Sequence, residues 1–199
     1  MPTLQRFSTG STGGSSILPD ISQRRWLERT FTARLDHDSE DELIAGLIRA
    51  AREEVEAACG LALIDQGWRL ALDRLPGAGR VLLRRHPVRA VLSVTAYGRD
   101  GEASLVDPAR YRLDGASRPA RLHFRGAPEP GVAVNGIEID FTAGFGEAGA
   151  DVPDLLKRAM LVLIAHWYEF RASFSGADQP VSFPPGYERL IAPWRSRRL

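Results

Sequence analysis

The sequence predicts an α+β fold: two main helices packed with an antiparallel β region, and extended segments at both ends. Three observations carry that prediction. Apolar residues recur at helical spacing over about 40–59 and again over about 152–172. Between them, over about 66–142, short alternating runs are broken by prolines and glycines. No helical stretch separates those runs, so neighbouring strands should pair antiparallel rather than through crossover helices.

Residues 1–35 form the first segment, an N-terminal arm. Ser8 to Ser16 is a Gly/Ser/Thr run with the composition of a flexible linker. Ile17 to Leu35 mixes arginines with Trp26, Leu27, Phe31 and Leu35. That stretch is too apolar for a pure linker and reads as an arm that docks on the body or on a partner.

The connecting body spans 36–175 and opens with the first helix, 40–59. Ser39 and Glu42 make an S-x-x-E capping box, each able to satisfy the other's free backbone N–H. Leu43, Ile44, Leu47, Ile48, Ala51, Val55 and Ala58 follow at helical spacing, and Gly60 supplies the stop. Asp36, Asp38, Glu40, Asp41 and Glu42 favour the positive end of the helix dipole, while Glu53, Glu54 and Glu56 extend the acidic surface.

The β region, 66–142, offers strands at about Gly67–Asp73, Arg80–Arg84, Val91–Tyr97, Arg110–Asp114, Arg121–Arg125 and Gly136–Thr142. Val91, Ser93, Thr95 and Tyr97 alternate with Leu92, Val94 and Ala96, and Gly98-Arg-Asp-Gly101 then has the residues of a hairpin turn. The second helix, 152–172, starts with Asp151 as its cap and Pro153 in the first turn, where a missing N–H costs little. Leu156, Met160, Leu163, Ile164, Trp167 and Phe170 fall on one broad face. Residues 176–199 are a tail that ends in an apolar–basic piece.

Bulk composition excludes several function classes. The chain has 199 residues, 44% apolar and 26% charged, enough for a real core. Its net charge of +1 creates no global attraction to nucleic acid or membrane. Lys157 is the only lysine; this arginine bias is read as genomic composition rather than as phosphate binding. Cys59 is the only cysteine, so no internal disulfide is available and a reducing compartment is expected. No apolar run approaches the roughly 18 residues that would span a bilayer. The first residues lack the apolar core of a secretory signal.

One motif invites a catalytic reading. Gly144, Gly146 and Gly149 form a literal G-x-G-x-x-G between a strand and a helix, as a small nucleotide-binding enzyme would require. Three features count against it. Glu169, at the right distance for a ribose ligand, lies inside the same helix rather than at a second strand. The residues after that helix show no strands to complete a nucleotide-binding half. Asp151 and Asp154 put negative charge where a pyrophosphate would dock. The glycines are better read as a tight path from sheet to helix.

No other constellation assembles chemistry. His37, His86, His123 and His166 have no metal-ligand spacing among them, and neither H-E-x-x-H nor G-x-S-x-G occurs. No catalytic, cofactor or metal residue is therefore assigned. Arg195, Arg197 and Arg198 could contact DNA phosphates as an Arg-rich binding module or be a solvated terminus. Their interleaving with Trp194 and Leu199 leans toward a protein contact.

The order of these elements resembles the head–tail connector family of tailed bacteriophages and gene transfer agents, whose members are also called adaptor or head-completion proteins. The resemblance rests on the acidic capped helix SEDELIAGLIRAAREEVEAACG, the strand DQGWRLALD, and the basic turn and hairpin LLRRHPVRAVLSVTAYGRDG. It continues through the junction IEIDFTAGFGEAGADVPDLLKRAMLVLIAHWYEFR and the tail YERLIAPWRSRR. It covers about 38–198 and leaves the arm outside. It implies a structural, non-enzymatic ring, commonly of twelve subunits, between the portal and the next neck or tail (stopper) protein, with DNA passing through its centre. On that footing Tyr187, Leu190, Ile191, Trp194, Arg195, Arg197 and Arg198 are expected to dock on the portal. Glu53, Glu54 and Glu56 are expected either to face the DNA channel or to be a solvated outer face.

Overall fold

The computed structural model describes residues 2–7, 39–126, 128–173 and 183–195. The arm residues Trp26, Leu27, Phe31 and Leu35, the side chains of Ser39 and Phe170, and Arg197 and Arg198 lie outside the described residues. The elements run β1 Thr3–Phe7, α1 Ser39–Cys59, β2 Gln66–Leu72, β3 Arg80–Leu83, β4 Val88–Tyr97 and β5 Ala103–Leu105. They continue with β6 Tyr111–Asp114, β7 Ala120–Phe124, β8 Ile137–Ala143, α2 Asp154–Ser173 and α3 Tyr187–Ile191. The mixture of helices with antiparallel sheets is the α+β class that the sequence predicts. Two units divide the chain: one gathers β1 with Ile64–Phe145, the other gathers α1 and Leu63 with the chain from Gly146 onward.

The β unit holds two sheets in which every strand pair is antiparallel. The larger runs β1-β2-β8-β4-β5, the smaller β3-β7-β6. β8 earns its central position by strict alternation. Ile137, Ile139, Phe141 and Ala143 are all fully buried, while Glu138, Asp140 and Thr142 are only partly so. Trp68 and Leu70 of β2 stand opposite Phe141 and Ile139, so the apolar rows continue across strands. Each such large side chain contributes about 1.5–3 kcal/mol on burial.

The Gly98–Gly101 turn closes the expected hairpin: Tyr97 pairs with Ala103 and Thr95 with Leu105. Two strands escape the sequence reading. β1 lies in the arm and β5 is only three residues long, all exposed; both are edge strands held by one neighbour. Leu92 also departs from the simple alternation. Val91 pairs with Phe141 and Ser93 with Asp140, so Leu92 is an extra residue at a bulge and is left 49% exposed.

The helical unit is built on α1, α2 and α3. Ile48, Ala51, Val55 and Cys59 form the buried stripe of α1 at i, i+3 and i+4 spacing. Leu156, Ala159, Leu163 and Ile164 do the same on α2, which packs against both α1 and α3. α2 begins at Asp154 rather than at 152, because Pro153 supplies the first carbonyl, accepting from Leu156 and Lys157 N–H.

Candidate docking surfaces

The C-terminal piece is made by α3 and the 3-10 turn Ala192–Trp194 that follows it. Burial splits its side chains into two groups. Tyr187 and Ile191, four residues apart, are 1% and 0% exposed and belong to the core of the helical unit. Phe183 stacks on Tyr187 with ring centroids 5.4 Å apart. The Cys59 thiol points at the Ile191 carbonyl, 4.0 Å away. Burial pushes that thiol up to about 11 and raises the Tyr187 hydroxyl as well, so both stay protonated at neutral pH. A buried, protonated thiol is a packing group rather than a nucleophile.

The outward group is larger. Leu190 and Trp194 are partly exposed and Arg195 is exposed. Arg195 pairs with Glu188 of α3. Phe183, 43% exposed, joins this surface; the sequence offered no periodic signal for it because it precedes α3.

The acidic residues of α1 do not share one environment. Glu53 is exposed, whereas Glu54 and Glu56 are partly buried. Glu56 accepts from the Leu63 N–H at 2.8 Å and from Arg52 Nε at 3.2 Å, so it secures the chain leaving α1. Glu54 lies near enough to Tyr187 and Cys59 to raise both further. Of the three, only Glu53 is exposed at the surface.

The glycine turn has a local purpose. A Cβ on Gly144 would collide with the Asp65 backbone, and Gly144 N–H donates to the Pro87 carbonyl at 2.9 Å. A Cβ on Gly146 would strike the Asp151 carboxylate, which accepts from Ala148 N–H at 3.1 Å. The space a phosphate would need is thus filled by the chain's own carboxylate. β8, the strand before the turn, is moreover central in an antiparallel sheet, whereas the dinucleotide fingerprint needs parallel neighbours. Among the described residues no cluster of three metal-binding side chains occurs, and no helix is long and apolar enough to cross a membrane.

Neither a family model nor a curated protein matches this chain. Solved structures do. A chain in the neck of an empty gene transfer agent particle, computed with sixfold symmetry, is 31% identical; the match covers 99% of this chain and 97% of that one, with a TM-score of 0.75. A chain of the native gene transfer agent virion is 31% identical over 98% and 96%, with a TM-score of 0.73. A chain in the native particle's neck, computed with twelvefold symmetry, is 30% identical over 92% and 94%, with a TM-score of 0.68.

Proposed function

The chain belongs to the head–tail connector family of tailed phages and gene transfer agents, and from that premise we propose that it is a structural neck protein. It forms a ring that joins the portal of a DNA-filled head to the tail. The observation that carries this reading is the end-to-end similarity to neck chains, in which both partners are covered over more than nine-tenths of their length. A shared module would match only a part.

In this role copies close head-to-tail into a ring, twelve in number, each offering two different patches to its neighbours. The ring sits between the portal and the stopper protein, and DNA passes through its bore without sequence-specific contact. No catalysis belongs to the role. The particle is assembled in the bacterial cytoplasm. Cryo-electron microscopy of particles mixed with the purified chain is the direct test. Ring density at the portal exit supports the reading; density elsewhere, or none, overturns it.

The portal contact is assigned to the outward group Leu190, Trp194 and Arg195, together with Arg197 and Arg198. Tyr187 and Ile191 support that surface from within. Aromatic and arginine side chains at a surface are the usual anchors of an interface. Removing residues 192–199 spares the buried pair, so a folded truncation that no longer attaches to portals is the expected result. Attachment at the wild-type level would refute the assignment. Glu53 is the α1 carboxylate best exposed to repel passing DNA, and Glu53→Gln should then slow DNA ejection. Unchanged ejection would return it to the solvated outer surface.

A further inference from the structure

The three-stranded sheet has one face of opposite character to its core. Val81, Leu83, Ala120 and Leu122 are buried. The alternate positions point outward, and all of them but Leu82 and Asp114 are basic. Strand register sets them in rows. Arg80 stands opposite His123, and His123 stands opposite Arg112. Beside that row the Arg125 N–H bonds the Arg110 carbonyl, which brings two more arginines together at the same parity. Arg84 extends the β3 side.

One acid balances this face. Asp114 accepts from Arg121 Nη2 at 2.7 Å and Nε at 3.0 Å, and that contact holds its carboxyl below the ordinary range. Among the described residues, no carboxylate pairs with Arg80, Arg84, Arg112 or Arg125. Arg110 and Arg125 put like charges directly opposite across strands, which is destabilising. The chain therefore holds a concentrated positive charge that an external anion would relieve. Composition explains why these residues are arginines rather than lysines; it does not explain why they share one face.

We infer that this face of β3, β7 and β6 binds the phosphodiester backbone of duplex DNA. Side chains two residues apart on a strand stand about 6.7 Å from each other, and adjacent strands lie about 4.8 Å apart. Duplex DNA offers one negative charge per roughly 1.7 Å of axis, so several phosphates meet such a grid at once. The face lacks what a different partner would need. Its one large apolar residue is Leu82, 40% exposed, whereas protein interfaces are built around apolar and aromatic anchors with charges at the rim. Tyr111 and Phe124 fall on the other parity and pair with each other at 5.9 Å, so no aromatic platform is present for single-stranded bases. Binding is to backbone and independent of sequence. The inference stands on the sheet and not on the neck assignment, so its failure would leave ring position untouched.

The test is fluorescence anisotropy of the purified full-length chain with a duplex of about 30 base pairs over a salt series. Four phosphate contacts give a log–log salt slope of about −3.6, roughly a hundredfold loss between about 50 and 200 mM salt. The triple variant Arg80→Gln, Arg112→Gln, Arg125→Gln should bring the slope to about −0.9 and weaken low-salt binding at least about tenfold. Arg49→Gln with Arg158→Gln, exposed on α1 and α2, should leave it unchanged. Thermal melting confirms that each variant folds. Wild-type protein without salt-sensitive binding, or a triple variant with the wild-type slope, overturns the proposal. So does a triple variant that still binds DNA but no longer joins particles, because the face would then be a protein interface.

Discussion

On the five-stranded sheet Arg69 stands directly across from Asp140, whereas on the three-stranded sheet Arg80, His123 and Arg112 stand in one row. The first sheet neutralises its outward charge internally. Arg69 Nε and Nη2 donate to the two Asp140 oxygens at 2.7 and 2.8 Å, Nη1 reaches Glu138 at 3.1 Å, and the Tyr97 hydroxyl donates to Glu138 at 2.8 Å. The bond to Asp140 raises Arg69 above its ordinary range, and the bond to Glu138 raises Tyr97. The second sheet leaves most of its charge open. The two surfaces share arginine; what separates a closed ion-pair network from an exposed cationic face is what stands opposite it, the β8 carboxylates on one sheet and mostly basic residues on the other.

His86 offers the largest test of that contrast. It follows Arg85, is 4% exposed, and is pushed down to about 4, first by burial and then by Arg118 and Arg85. Its folded value is depressed, so the neutral form's contribution is complete above the unfolded value near 6.5. That contribution falls away as pH drops toward 4. Denaturant titrations across that window should show a loss of about 3 kcal/mol, and His86→Gln should flatten the profile. An equally steep profile in the variant would assign the acid sensitivity to other groups.

Breaking the neutral sheet comes next in size. Asp140→Ala removes the bidentate partner of Arg69 and should cost about 1–2 kcal/mol, reduced because Arg69 is 43% exposed. The smallest effect has the opposite sign. Arg112→Glu places an acid opposite His123 and beside the open arginines, and should stabilise by about 0.5 kcal/mol. That gain should shrink in high salt, which screens exposed charges. If Asp140→Ala and Arg112→Glu shifted stability in the same direction, the contrast between the sheets would be lost.

Much of the architecture is legible in the sequence. The Val55 and Cys59 stripe, the Ile137–Ala143 alternation and the Gly98–Gly101 turn are local patterns, because helix and strand periods are written in neighbouring residues. β1 and β5 are not legible there. A short exposed strand has no burial pattern, and what makes Thr3–Phe7 a strand is β2, far along the chain. Docking residues are harder still. Tyr187 and Trp194 look alike as aromatics in a basic tail, yet one is core and the other is partly exposed.

Local residue patterns are enough for the α+β class, the helix and strand periods, and the order of elements that marks the connector family. Tertiary structure alone decided which glycine approaches which backbone, which tail residues are buried, and which arginines meet a carboxylate. The reason is physical. Periodicity depends on the next few residues, whereas charge pairing and burial depend on strand register and helix packing between segments far apart in the chain.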